Sequence, residues 1–262
     1  MAIAAAAVLS PQPVEGLPEP DLSIHAIGLG EDDRALEGRR KNQVALLHRY
    51  GLAPTSNVLE IGCGVGWLAY DLASELDADS GSYTGFDVSA AAIGWLNDNL
   101  APRLPNFRFD LVDAQNPRYR PNDGVRADQV SFPYADRRFD LVCAFGVFMH
   151  IERRGVARYL KEIARVLEPG HLALLSFMAV TERDEAPRNG PRAYVPVEPG
   201  VYTSRPDREG WSLAYDDALI REMIDGAGLY VIACEEGAWH GRRPPGDAAV
   251  PGADLYVVSP SP

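Results

Sequence analysis

The chain has 262 residues, 46% of them hydrophobic and 24% charged, with a formal net charge of −12. That length suits one large domain with a well-buried core; no apolar run approaches the ~20 residues needed to span a bilayer, so a soluble protein without a membrane partner is expected, and the acidic balance argues against nucleic acid. Cys63, Cys143 and Cys234 are scattered without a Cys-x-x-Cys spacing, which suggests neither a disulfide framework nor a zinc site and fits a reducing cytoplasm.

Residues 1–30 open on an apolar, alanine-rich stretch without a basic segment, soon followed by Pro11, Pro13, Pro18 and Pro20. They read as a flexible arm ahead of a domain over residues 31–262. Leu36, Val44, Leu46 and Leu47 suggest an amphipathic helix over residues 36–50, ended by Gly51. Apolar runs bounded by turn residues then alternate with helical patterns: strands at 57–61, 83–86 and 107–112, and helices at 67–76 and 90–100. A fourth strand follows at 139–144, a helix at 155–167 stopped by Pro169-Gly170, and a fifth strand at 172–177. Residues 181–209 are rich in Pro, Gly, Arg and Glu without sustained periodicity, so a substrate-loop insertion is expected near residues 179–212. A helix over 215–227 capped by Gly228, a sixth strand at 229–234, a second loop at 237–252 and a seventh strand at 254–258 complete the chain. The alternation predicts an α/β fold, a doubly wound and mostly parallel sheet with crossover helices.

The sharpest local feature is Val58-Leu59-Glu60-Ile61-Gly62-Cys63-Gly64-Val65-Gly66, a hydrophobic strand running into glycines at alternate positions and then a helix. Glycine there lets the backbone turn tightly and approach a ligand, and the following helix start offers N–H groups. The spacing is Gly-x-Gly-x-Gly, not the Gly-x-Gly-x-x-Gly of dinucleotide-binding folds, which demotes a nicotinamide reading. Asp87 ends the next strand about twenty residues on, where a carboxylate holds ribose hydroxyls; the competing reading is an N-cap for the helix beginning near Ala90.

Together these residues resemble the class I S-adenosyl-L-methionine-dependent methyltransferases, from about Ile27 to Val258. Glu60 to Gly66 looks like the family's first motif, Asp87 like its ribose-binding acid, Phe139-Asp140-Leu141-Val142 like its fourth-strand motif, and Leu167-Glu168-Pro169-Gly170 like the turn before strand five. Ile93-Gly94-Trp95-Leu96, Val147-Phe148-Met149-His150 and Gly237-Ala238-Trp239-His240-Gly241-Arg242 resemble a bacterial subgroup acting on small molecules. The resemblance implies a Rossmann-like seven-stranded sheet with an antiparallel last strand, and S-adenosyl-L-methionine as cofactor. It further implies a cofactor site drawn from Glu60, Gly62, Cys63, Gly64, Gly66, Asp87, Val88, Asp113, Ala114, Asp128, Phe145 and Gly146. Asp113, which ends the third strand, and Asp128, five residues before Pro133, compete for the adenine, and residues 115–127 between them resemble a subgroup insertion. Arg39, in a Gly-Arg pair, is read as helping to close the site.

Methyl transfer is an in-line displacement, so alignment and, for a hydroxyl acceptor, a base are what the protein must supply. His150 is the candidate base because it follows strand four and an imidazole as a class titrates near neutrality; its competing reading is a packing or orienting group, and His240 is the second choice. Tyr194, Tyr202 and Trp211 suggest an aromatic acceptor wall or, equally, loop anchors. The expected reaction is O-methylation of a small molecule, a specialised metabolite or sugar, with no metal; a small-amine N-methyltransferase and a non-catalytic cofactor-binding protein stay as alternatives, and a homodimer is left open. Phe145-Gly146-Val147-Phe148 lacks the Asx-Pro-Pro-aromatic signature of nucleic-acid N-methyltransferases, and the chain shows no Tyr/Lys pair for a dehydrogenase.

Overall fold

Alternate residues of the central strands face opposite helical layers, and this period of two builds two cores. On β1 (Asn57–Ile61) and β4 (Phe139–Ala144), Val58, Leu141 and Cys143 pack with α1 (Asp33–Arg49), α2 (Trp67–Leu72) and α3 (Ala90–Asn99). Leu59, Ile61, Val142 and Ala144 pack on the other side with α4 (Arg153–Val166) and α5 (Asp217–Gly226). Both strands are buried on both faces, as central strands of a doubly covered sheet must be. The structure is a computed structural model that describes residues 14–20, 23–24, 33–120, 123–182, 194–208, 210–240 and 252–260.

The main sheet also contains β2 (Ser82–Asp87), β3 (Phe107–Leu111), β5 (Leu167–Phe177), β10 (Leu229–Glu235) and β11 (Asp254–Pro260), in the order β10-β11-β5-β4-β1-β2-β3. β11 runs antiparallel to both its neighbours, β10 and β5, as the family resemblance implies, and the other pairs of the sheet are parallel. The chain leaves β1 toward β2 and β3, then returns to build β4 and β5 on the other side. A crevice therefore opens beyond the carboxyl ends of β1 and β4, the switch point where such sheets take ligands.

Four expectations change. The fifth strand starts at Leu167, paired with Phe139, and the sequence Pro169-Gly170 makes a register irregularity inside it instead of a turn before it. α2 stops at Leu72. Tyr215 belongs to a strand, and the helix expected from that residue begins at Asp217. Residues 179–216 contain a second, four-stranded sheet of order β6-β9-β8-β7, formed by β6 (Ala179–Val180), β7 (Val195–Glu198), β8 (Val201–Thr203) and β9 (Leu213–Asp216). Strands of two to four residues are too short to show a period, and β7 is exposed throughout, so no alternation marks it. Residues 183–193 of the insertion, and most of the arm, lie outside the described residues; within the arm Leu17 is buried beside Val44 and Leu47.

The insertion is tied to the exit of β4. Tyr215, fully buried, donates its hydroxyl to the Ile151 carbonyl, and its ring meets Phe177 edge-on at 6.4 Å. Phe177 stacks in turn on Phe148 at 4.6 Å. This aromatic column fixes the short helical turn Phe148–His150 that carries the candidate base.

Candidate functional site

Glu60 closes β1 opposite Gly85 of β2, and the Tyr83 hydroxyl donates to its carboxylate. Burial pushes the Glu60 pKa up to about 8, the Tyr83 hydrogen bond opposes this, and the nearby Asp87 and Asp71 carboxylates add to it. Beyond it the chain turns through Gly62 at φ +72° and Gly66 at φ +86°, the left-handed region that disfavours side chains. A Cβ at Gly62 would meet Val147 at 2.7 Å and one at Gly66 would meet Leu96 at 2.4 Å, so the loop is pressed between the exit of β4 and α3. Cys63 is buried, and burial raises its thiol well above the ordinary range, so it is packing and not a nucleophile.

Asp87 is buried at the end of β2, and both its oxygens are engaged: Oδ2 accepts the Gly64 N–H at 2.8 Å and Oδ1 the Ser89 N–H at 2.9 Å. The N-cap of α3 is Ser89, whose hydroxyl accepts the Ala92 N–H, so the capping alternative for Asp87 is replaced. A carboxylate carries about four lone-pair positions, so two remain for a further pair of donors. A glycine loop bent against a buried carboxylate with spare acceptor capacity, beside a cleft, is an arrangement an adenosyl cofactor requires, and the residues present fit it.

That cleft has a volume of about 700 Å³, and its walls include Val88, Asp128, Tyr159, His150, Arg208 and Trp211. Of the two candidate acids, Asp128 lines it, with its carboxylate held bidentately by Arg126 at 3.0 and 2.9 Å. Asp113 lies outside the lining, is largely exposed, and pairs with Arg120 at 2.8 Å. Ala114 is buried and bridges to Val125, which closes the neck of the 115–127 excursion. Phe145 packs on the core, while the Gly146 N–H donates to Ser176 Oγ at 2.8 Å at the exposed end of β4.

His150 is buried in the cleft wall and is gripped by the excursion. Asn116 Nδ2 donates to the His150 carbonyl at 3.1 Å, while Asn116 Oδ1 accepts the Arg118 and Tyr119 N–H groups. Tyr119 sets its ring edge-on to the imidazole at 5.8 Å. Arg118 Nη1 lies 3.2 Å from His150 Nε2; a guanidinium only donates, so Nε2 is the accepting nitrogen. Asn116, Arg118 and Tyr119 were not singled out from the sequence; Asn116-Pro117 is a turn signal, and Asx-turn geometry is what orders the pair behind it.

The remaining candidates sit elsewhere. His240 Nε2 lies 2.9 Å from Asp254 Oδ1, almost fully buried beside Trp239, whose Nε1 donates to the same carboxylate, so this histidine belongs to a packing knot and not to the cleft lining. Tyr194 and Tyr202 are anchors: Tyr194 meets Ser212 and Trp239, and Tyr202 donates to Asp216 at 2.9 Å. Trp211 alone of the three aromatic candidates lines the cleft. Arg39 is exposed, whereas Arg40 turns inward, donating Nε to Asp71 at 3.0 Å and stacking at 4.0 Å on Trp67 beside the glycine loop. Among the described residues no cluster of His, Cys, Asp and Glu suits a metal, and no helix is long and apolar enough to cross a membrane.

A methyltransferase-domain family model matches residues 35–233. The chain is 32% identical over 124 residues to the 27-O-demethylrifamycin SV methyltransferase of Amycolatopsis mediterranei, covering 47% of this chain and 39% of that protein. It is 25% identical over 198 residues to a polyketide synthase-nonribosomal peptide synthetase of Aspergillus flavipes, covering 75% of this chain and 4% of that protein. The chain thus spans less than half the length of these curated relatives. Among solved structures it resembles the Burkholderia thailandensis 1,6-didemethyltoxoflavin-N1-methyltransferase with bound 1,6-didemethyltoxoflavin and S-adenosylhomocysteine, at a TM-score of 0.52 and 16% identity, covering 86% of this chain and 79% of that one. With the family model spanning most of the sheet that carries the glycine loop, the chain belongs to the class I methyltransferases, enzymes that use S-adenosyl-L-methionine.

Proposed function

We propose that this methyltransferase methylates a hydroxyl group of a small molecule, a specialised metabolite or sugar, with His150 as the base. The observation that carries the reading is the position of His150, buried in the wall of the same cleft that Val88 and Asp128 line, with an accepting Nε2. The names of the rifamycin relative and of the toxoflavin structural neighbour support a small-molecule acceptor, and the 27-O-demethylrifamycin name supports oxygen as the methylated atom.

When bound, S-adenosyl-L-methionine supplies an electrophilic methyl group on a sulfonium. In this reading the spare lone pairs of Asp87 would take the ribose hydroxyls, Val88 and Asp128 would hold the adenine, and Gly62, Gly64 and Gly66 would let the backbone pass close to the cofactor. Phe145 and Gly146 would hold its amino-acid end, and Glu60, behind the loop, would keep the loop in shape. Asp128 is preferred to Asp113 because it faces the cleft. The acceptor hydroxyl would displace the Arg118 N–H from His150 Nε2 and give its proton to that nitrogen, so that the chain takes up the proton while the bound cofactor would supply the methyl group. The clamp of Asn116 and Tyr119 holds the imidazole in place to receive that proton.

His150→Ala tests this. Turnover is expected to fall by about 100-fold or more, the usual scale of general-base catalysis, while S-adenosylhomocysteine still binds. Unchanged turnover eliminates His150 as the base, and a product methylated on nitrogen replaces the hydroxyl reading.

A further inference from the structure

The segment that carries Asp128 is fixed along one face of α4. Arg158 Nε donates to the Val130 carbonyl at 2.6 Å, the Glu162 carboxylate accepts the Phe132 N–H at 2.7 Å, and Arg165 donates to the Phe132 and Tyr134 carbonyls at 3.0 and 2.7 Å. Near the start of the helix a Cβ on Gly155 would meet Ala127 at 2.7 Å, so helix and segment touch at the residue before Asp128. One turn further along α4 stands Tyr159, which lines the same cleft as Asp128.

Tyr159 is only 4% exposed. Its ring meets Phe132 edge-to-face at 5.2 Å, and Phe132 meets Phe86, the residue before Asp87, at 4.8 Å. This aromatic chain ties Tyr159 to the two segments that carry Asp87 and Asp128. Burial, and after it the Asp87 carboxylate, push the Tyr159 pKa up, so the hydroxyl keeps its proton. Yet among the described residues none makes a hydrogen bond with that hydroxyl. Buried polar groups are ordinarily satisfied, and the cleft that Tyr159 lines is where a partner can enter.

Asp87 and Asp128, the acids proposed for the adenosyl group, only accept hydrogen bonds when ionised. An adenine edge presents an amine that donates beside ring nitrogens that accept. A carboxylate therefore answers half of that edge, and a protonated hydroxyl answers the other half. We propose that Tyr159 is a further cofactor-binding residue, whose hydroxyl donates to a ring nitrogen of the adenine while Asp128 takes the exocyclic amine. This rests on the reading of the cleft as the adenine site. Because α4 fixes both residues, the two contacts would be made together, and the pair would select adenine by its alternation of donor and acceptor.

Calorimetric titration of the full chain with S-adenosylhomocysteine, and with its 1-deaza, 3-deaza and 7-deaza analogues, tests the inference. Tyr159→Phe should weaken S-adenosylhomocysteine binding about fivefold, the scale of one neutral hydrogen bond. One of the analogues should bind the wild type less well, and that loss should largely disappear in Tyr159→Phe, because the two changes remove the same bond from opposite sides. The variant keeps the ring and loses a hydroxyl that has no partner among the described residues, so the melting temperature of the unliganded chain should not fall. A lower melting temperature, an unaltered affinity for S-adenosylhomocysteine, or an equal loss for every analogue in both proteins overturns the inference. Asp128→Asn separates it from the reading beneath it. If only Asp128→Asn weakens binding, Tyr159 is excluded and the adenine site stands; if neither variant does, the cleft is not the adenine site and both fall.

Discussion

Asp87 holds one backbone N–H from the glycine loop, at Gly64, and one from the turn into α3, at Ser89, so one carboxylate ties the two segments together and keeps lone pairs to spare. Asp87→Ala is expected to weaken S-adenosylhomocysteine binding about 100-fold, the equivalent of two charge-assisted hydrogen bonds, and calorimetry that finds wild-type affinity would refute the ribose assignment. Glu60 makes a different prediction. Its pKa is about 8 in the fold because it is buried, against about 4.3 for an unfolded glutamate. A carboxyl whose folded pKa is raised stabilises the fold fully below the unfolded value and loses that contribution as pH rises through the folded one. Denaturant midpoints of the wild type should therefore fall from about pH 5 to about pH 9 relative to those of Glu60→Gln, in which the amide keeps an acceptor for Tyr83 without titrating. Parallel midpoint curves for the two proteins would contradict the buried-acid account.

At the scale of elements, the cofactor half was legible because its signals are local. The glycines bend where β1 ends, Asp87 ends the strand paired with β1, and β4 was visible as one short apolar run, which suits a strand buried on both faces. Gly66→Ala probes this layer: a left-handed φ costs a residue with a side chain about 1–2 kcal/mol, and the added Cβ meets Leu96 of α3. Loss of at least about 1 kcal/mol in denaturant unfolding is expected from that backbone penalty, and an unaltered stability would mean that the loop is not held as described. The acceptor half was much less legible. Asn116 and Arg118 reach His150 across more than thirty residues of sequence, and polar loop contacts leave no hydrophobic period to read. Tyr215 looked like a helix start because Leu219, Ile220, Met223 and Ile224 follow it at helical spacing, yet its burial against Phe177 and its bond to Ile151 make it part of β9. Tertiary packing overrode the local preference there.

In the molecule as a whole, two layers of helices over a seven-stranded sheet leave one switch-point crevice, and the small sheet of residues 179–216 stands beside its mouth through Tyr215 and Trp211. The cleft is lined by Val88 just past β2, by residues of the 115–127 excursion and by Trp211 of the turn before β9, with His150 in its wall. In the proposed reading the sheet would hold the methyl donor and these loops would choose the acceptor. The most direct test is to incubate the wild-type chain with carbon-13-methyl S-adenosyl-L-methionine and a panel of small hydroxylated compounds and matched amines, and to locate the labelled carbon by nuclear magnetic resonance. The account predicts a methyl group on oxygen of a small molecule; a methyl group on nitrogen in the matched amines, with every hydroxyl left unlabelled, would contradict it.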